Sequence, residues 1–398
     1  MRRSLLIVCA ALLLAPAGGA SLVPLPTRLA NALAVPGNSS DASGAVAVNL
    51  TTGRTLFARH ADLPLAPASN EKLTVAFAAL RELGDAYRFR TEVFGRGYQD
   101  GSVWHGDVFL KGFGDPTLTS LQVERLATQI SLLGISRITG RVFGDESWFD
   151  AARTAPGWRA SYFIDECPPL SALVVDRAVY DKHVALQPAL AAVGRLRLLL
   201  RKHGVASGAV GLGRAPDSAL ALAQVESEPL PTVLAGMDRK SDNFAAELVL
   251  KELGAEVGTG GTTAAGVAIV VRDLTAVGVP LTGVRIVDGS GLSLSDRLTA
   301  RALGALLVAV WDDLDLRDPF WASLPIAGVN GTLEKRLRKA PARGTVRAKT
   351  GTTSRASALS GYVGDRYGFA VLQNGTPVST SSARKAQDRF ATALAAAS

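Results

Sequence analysis

Apolar positions change their period several times along this chain, and each change predicts an element. Leu73, Ala76, Phe77, Leu80 and Leu83 recur every third or fourth residue, which is one face of a helix starting near Ser69 and closed by Gly84. Just before it, residues 44–50 and 55–58 are short β-rich runs on either side of Thr51-Thr52-Gly53-Arg54, the pattern of a hairpin. Residues 241–253 are helical again, with Phe244, Ala245, Leu248, Val249 and Leu253 on one side. Three strand-like runs follow late in the chain, at 345–349, 358–363 and 368–373. Gly364-Asp365-Arg366-Tyr367 turns between the last two, and a helix over 381–396 closes the pattern. Strands at both ends around a helical middle predict one α+β domain, an antiparallel sheet flanked by helices. Residues 38–95 and 226–398 would build it, with the Ser69 helix in its centre.

Between those parts the texture differs. Gly-rich β segments (107–114), a helix (121–133), a further β run (138–145) and an Ala/Leu/Arg stretch (184–202) predict an inserted, β-rich accessory region over 96–225. Such a region would support or restrict a cleft rather than do chemistry. Residues 21–37 are small, polar and proline-containing, and read as a tether. Ahead of them, Arg2 and Arg3 precede an apolar run over 5–14, then Ala15-Pro16-Ala17-Gly18-Gly19-Ala20. That is the layout of an export signal over 1–20, with an uncleaved anchor as the alternative. The expected location is therefore periplasmic or extracellular. No other segment reaches the roughly 18 continuous apolar residues of a membrane span.

Composition narrows the classes further. With 47% hydrophobic and 20% charged residues, the 398-residue chain is globular rather than disordered. Two cysteines, Cys9 and Cys167, exclude a disulfide framework, because Cys9 falls inside the signal run. His60, His105, His183 and His203 lack metal-ligand spacing, so no metal and no organic cofactor is expected. The formal charge of +8 is spread along the chain. It predicts no nucleic-acid module and at most peripheral membrane contact.

Three short motifs carry the candidate chemistry. In Pro67-Ala68-Ser69-Asn70-Glu71-Lys72, a helix puts Ser69 and Lys72 on one face. A serine hydroxyl needs a base to become a nucleophile, and an amine serves if burial and nearby positive charge lower its pKa. Alone, Ser69 also reads as a helix cap, although Lys72 stands where a capping box wants Glu or Gln. In Ser241-Asp242-Asn243, residues two apart in a turn can face one cavity, Ser241 to relay a proton and Asn243 to hold a carbonyl; an ordinary helix start explains the same residues. In Lys349-Thr350-Gly351-Thr352, at the end of a β run, a peptide could add as a strand, Gly351 allowing its close approach. Lys349 and the hydroxyls of Thr350 and Thr352 could bind a carboxylate. Weaker candidates are Asp145 with Asp150 and the Asp312-Asp313-Asp315 cluster as acid pairs, and Lys335-Arg336-Arg338-Lys339 as a basic face; solvated turns and helix faces explain them.

Taken in order, Ser-x-x-Lys, Ser-x-Asn and Lys-Thr-Gly are the motif set of serine β-lactamases and penicillin-binding proteins. Over nearly all of its length the chain resembles the D-alanyl-D-alanine carboxypeptidase/endopeptidase family, the class C low-molecular-mass penicillin-binding proteins. Besides the three motifs, the resemblance rests on Gly114-Asp115-Pro116-Thr117-Leu118, Leu170-Ser171-Ala172-Leu173, Ala246-Glu247-Leu248, Asp288-Gly289-Ser290-Gly291-Leu292-Ser293, Gly331-Thr332-Leu333 and Leu359-Ser360-Gly361-Tyr362. Glu71 departs from the family pattern; on an α-helix it lies about 200° round from Ser69, away from the reactive face.

The resemblance implies a penicillin-binding-protein/β-lactamase-like transpeptidase fold. It also implies a serine-type D-Ala-D-Ala carboxypeptidase acting on peptidoglycan stem peptides. Ser69, Lys72 and Ser241 would be catalytic; Asn243, Lys349, Thr350, Gly351 and Thr352 would bind substrate. The backbone N–H groups of Ser69 and Thr352 would form the oxyanion hole, and β-lactams would be covalent inhibitors. The stretch between Ser69 and Ser241 is shorter than in the longer family members, which leaves endopeptidase action on crosslinks open. Two rivals share the motifs: a serine β-lactamase, although the class A Glu-x-x-Leu-Asn run is missing, and a non-catalytic wall-binding protein.

Overall fold

The computed structural model describes residues 23–180 and 182–398, so the signal-like run over 1–20 lies outside the described residues. In chain order the first elements are α1 (Leu25–Leu33), β1 (Ser43–Asn49), β2 (Thr55–Arg59), α2 (Lys72–Leu83), β3 (Arg90–Asp100), β4 (Val103–Gly112), α3 (Ser120–Leu132), β5 (Arg137–Ile138) and β6 (Val142–Asp145). Then come β7 (Val179–Tyr180), β8 (His183–Val184), α4 (Pro188–Lys202), β9 (Val210–Leu212), β10 (Leu220–Glu226), α5 (Leu230–Lys240), α6 (Asn243–Glu256) and α7 (Thr263–Ala276). The last are α8 (Ala300–Asp312), α9 (Leu314–Ser323), β11 (Val346–Thr352), β12 (Ala356–Val363), β13 (Tyr367–Asn374) and α10 (Thr380–Ala395).

The main sheet runs β11-β12-β13-β1-β2 and is antiparallel throughout, so the first hairpin closes against the last strands. Alternation along its strands splits the core in two. Val46, Val48, Ala358, Tyr362, Ala370 and Leu372 face helices α2 and α5 to α9. Ala45, Ala47, Leu359, Val363, Phe369 and Val371 face α1 and α10. Helix α2 is buried all round from Lys72 to Leu80, as a central helix must be. Its leading residues are thereby fixed by packing on every side.

Within the expected tether, residues 25–33 form a packed helix. Leu25, Leu29, Ala32 and Leu33 form the apolar stripe of α1, Leu29 is fully buried, and Arg28 donates to the Ala393 carbonyl at 3.1 Å. Pro24 and Pro26, two of the prolines that suggested a tether, sit at the helix start, where the missing N–H would be unpaired anyway.

The accessory region also begins earlier than its composition suggests. Strand β3 starts at Arg90, which pairs with Glu226, so the second sheet spans residues 90–226. The alternation of buried Thr91 and Val93 had already begun there, before the glycines. This sheet runs β10-β3-β4-β6-β9 and is mixed: β10, β3 and β4 are antiparallel, and β4, β6 and β9 are parallel. The parallel steps are made through α3 and α4, which bury Leu126, Ile130, Val193 and Leu196 against it. The region is therefore strand and helix in layers, with the helix expected over 121–133 present as α3.

Candidate active site

Ser69 sits in a 3₁₀ turn, Ala68–Glu71, that leads directly into α2. Ala68 has φ +46°, a left-handed conformation for a residue with a side chain, of the kind that concentrates at functional sites. Edge strand β11 lies on this turn. A Cβ on Gly351 would stand 2.8 Å from the Pro67 carbonyl and 3.1 Å from the Ser69 nitrogen. What approaches Gly351 closely is thus the protein's own turn, where the sequence suggested only a ligand. Asn70 fastens the same contact, donating to the Lys349 carbonyl at 3.1 Å.

Lys72 has no solvent exposure. Its Nζ lies 3.0 Å from Ser69 Oγ, 2.9 Å from Asn243 Oδ1 and 2.7 Å from the Ser290 carbonyl. Two of these partners can only accept. A neutral amine has two N–H groups for them and one lone pair left for the Ser69 hydroxyl. Burial pushes the Lys72 pKa down, against the opposing charges of Asp288, Glu247, Asp242 and Asp238.

Ser241 ends α5 in a left-handed conformation, φ +57°, and its Oγ meets Lys349 Nζ at 2.8 Å. Lys349 also donates to the Thr350 carbonyl at 2.9 Å and is itself fully buried. Burial and the charge of Lys72 lower its pKa to about 7, with Asp238 opposing. Asp238, buried on α5 and accepting from Ser323 Oγ at 2.7 Å, is raised by burial to about 6. Asp242 caps α6 through the Ala245 N–H and pairs with Arg177 of the accessory region. Thr350 Oγ1 donates to Thr332 Oγ1 at 2.7 Å, and exposed Thr352 receives Arg384 at 3.4 Å.

The fold thus brings all eight sequence-predicted site residues into one cluster. Asn243 differs in detail: Oδ1 is taken by Lys72, and one Nδ2 hydrogen goes to the Glu166 carbonyl at 3.0 Å, leaving one N–H for a ligand. Glu71 is the larger correction. It is fully buried rather than turned harmlessly outward, because a 3₁₀ turn and not an α-helix carries it, and burial lifts its pKa to about 8. Ser290, Glu247 and Asp288 had no sequence-based role, though they lie in runs noted for the family resemblance. Thr332 was marked in the same way. Trp158 lies in Pro156-Gly157-Trp158, a run that also fits the family's inserted region, whereas Glu166 and Arg384 carried no signal, since only the tertiary fold brings them here.

The weaker candidates have structural duties. Asp145 accepts from the Ala215 N–H, Asp150 pairs with Lys251, Asp313 caps α9 and Arg336 pairs with Asp388. Among the described residues no group of His, Cys, Asp and Glu has the geometry to hold a metal ion, and Cys167 is a buried free thiol.

A five-stranded sheet with a buried central helix, and a cleft of two serines facing two lysines, define a penicillin-binding type of fold. Comparisons with known proteins make the class specific. A family model for the D-Ala-D-Ala carboxypeptidase 3 (S13) family matches residues 25–192 and 183–397. A D-alanyl-D-alanine carboxypeptidase of Actinomadura sp. (strain R39) is 31% identical, over 91% of this chain and 83% of that protein. A carboxypeptidase of Mycobacterium tuberculosis is 33% identical, over 95% of this chain and 86% of that protein. Penicillin binding protein 4 of Haemophilus influenzae superposes with a TM-score of 0.81 at 22% identity, over 94% of this chain and 98% of that one. That protein has also been solved complexed with a β-lactam. The chain belongs to the D-Ala-D-Ala carboxypeptidase 3 (S13) family and is a peptidase.

Proposed function

We propose that the protein removes the terminal D-alanine from peptidoglycan stem peptides through a Ser69 acyl-enzyme, and that β-lactams acylate the same serine. The observation that carries this reading is the set of partners around Lys72, which leaves the amine one lone pair and directs it at Ser69 Oγ. Lys72 takes the hydroxyl proton as Oγ bonds to the carbonyl carbon between the two D-alanines. The backbone N–H groups of Ser69 and Thr352 hold the oxyanion, a role supported by the seating of Gly351 on the Ser69 turn. As the C–N bond breaks, Lys72 gives the proton to the departing D-alanine amine, and Ser241 Oγ, held by Lys349 Nζ at 2.8 Å, accepts a hydrogen bond from that amine as it leaves. Water then hydrolyses the ester. A β-lactam enters by the same first step, but its cleaved amide stays tethered, so the adduct is long-lived. The resemblance and the relatives support an exported enzyme that works at the cell wall.

The leaving D-alanine carries a free carboxylate, and the rim of β11 suits it. Thr350 and Thr352 offer hydroxyls, Lys349 lies directly behind them, and Arg384, a residue the sequence did not mark, reaches Thr352. A charge-assisted hydrogen bond contributes about 1.5–3 kcal/mol. Realised in the transition state, that is roughly a 10- to 150-fold preference in rate. Peptides ending in D-Ala-D-Ala acid are therefore expected to exceed their C-terminal amides by such a factor in kcat/KM. Lys349→Ala should narrow the gap by lowering the acid rate. Equal kcat/KM for acid and amide in the unmutated enzyme contradicts carboxylate recognition at this strand.

A further inference from the structure

Beneath Lys72 the protein buries four carboxyl groups, Glu71, Glu247, Asp288 and Asp296, none of them with measurable solvent exposure. Among the described residues none of the four forms a salt bridge. Glu71 accepts from Thr74 Oγ1 at 2.8 Å and Asp296 from the Val287 N–H at 2.7 Å, whereas the hydrogen bonds of Glu247 and Asp288 run into the loop 288–293. Glu247 Oε1 accepts from the Gly289 N–H at 3.1 Å and the Ser290 N–H at 2.8 Å. Asp288 accepts from the Gly291 N–H and the Ser293 N–H, each at 2.7 Å, and from Trp158 of the accessory region at 2.8 Å. The loop is pressed onto the reactive turn so closely that a Cβ on Gly291 would lie 1.9 Å from the Ala68 carbonyl. One loop carbonyl, that of Ser290, accepts from Lys72 Nζ at 2.7 Å.

Glu247 stands four residues after Asn243 on α6, so the two share a helix face. Asn243 holds Lys72 directly; Glu247 holds the loop that holds Lys72. We infer that Glu247 is a positioning residue for Lys72: by clasping the Gly289 and Ser290 amides it turns the Ser290 carbonyl onto Nζ, which orients the remaining lone pair at Ser69. The inference rests on the reading of Lys72 as the base. Burial and the neighbouring charge of Asp288 raise Glu247 to about 8, which favours its uncharged acid form. Among the described residues, its second oxygen, Oε2, has no hydrogen-bond partner. Both facts make glutamine a near-isosteric replacement that keeps the one oxygen in use.

The test compares Glu247→Gln with Glu247→Ala in stopped-flow acylation by a chromogenic β-lactam, resolving noncovalent affinity from the acylation rate constant. Glu247→Gln should keep at least about a third of the parent rate constant. Glu247→Ala should lose on the order of 100-fold, the scale for a reacting group displaced by about 1 Å, with noncovalent affinity changed by less than about 3-fold. Should the alanine variant lose its cooperative melt, the glutamine variant decides alone, and a 100-fold loss there overturns the proposal. So does an alanine variant that acylates like the parent, or one whose defect lies wholly in affinity. Lys72→Met measured alongside separates the premise: if it acylates at the parent rate, Lys72 is not the base and both readings fall. If it is dead while Glu247→Ala is unimpaired, the positioning role alone fails.

Discussion

Ser69→Ala removes covalent penicillin binding altogether and leaves the fold intact. The side chain is half-buried in the 3₁₀ turn ahead of α2, and the one hydrogen bond at stake is its 3.0 Å contact with Lys72. Losing a hydroxyl there costs the fold roughly 1 kcal/mol, an ordinary value for one hydrogen bond. Chemistry loses everything, because among the described residues no other hydroxyl bonds that amine: its remaining partners are the Asn243 amide oxygen and a backbone carbonyl. Ser241 does not substitute, since its partner is Lys349. Fluorescent penicillin on a denaturing gel reads the outcome directly, with thermal melting as the control for folding. Undiminished labelling of a folded Ser69→Ala protein rules the assignment out.

Lys72→Met is the second large effect. Methionine fills nearly the same buried volume without a base, so acylation should fall by about 10²–10⁴-fold, the usual contribution of a positioned base. The unmutated enzyme should also show an acid limb in acylation. Lys72 works as the neutral amine, its pKa is held down by burial, and Lys349 beside Ser241 is lowered to about 7. Acylation should therefore rise with pH as Lys72 gives up its proton, and fall again as Lys349, the cation behind the carboxylate site, loses its own above about 7. A rate constant that is flat from pH 5 to 9, or a Lys72→Met variant within about 3-fold of the parent, contradicts the amine as base.

The parts of the site that could be read from the sequence are those where chemistry coincides with local spacing. Ser69 and Lys72 are three apart at a helix start, Ser241 and Asn243 flank a helix cap, and Lys349 to Thr352 end a strand; each signal survives without tertiary knowledge. The antiparallel sheet was legible for the same reason, through short β-rich runs set around turns, which the structure buries almost throughout as β1, β12 and β13. Other features depend on what packs against them. Glu71 reads as a surface helix residue until the 3₁₀ turn and the 288–293 loop enclose it. Glu247 and Asp288 look like common acidic positions, and only the loop folded round them shows that their oxygens organise backbone amides. Helix α1 was hidden by its prolines, because its stripe of leucines means little until α10 is there to receive it. The accessory region reaches the cleft through Trp158 and the Glu166 carbonyl. Such contacts have no sequence signature.

The central claim is one serine for two fates, peptide hydrolysis and penicillin capture. The most direct test measures D-alanine release from an N-acylated L-Lys-D-Ala-D-Ala tripeptide while the enzyme is titrated with penicillin, the adduct being located by mass spectrometry. D-Alanine release should fall in proportion to penicillin bound, reach zero at one adduct per chain on the Ser69 peptide, and stay there over many turnover times. Release that continues after full acylation, or an adduct on any other residue, contradicts the account.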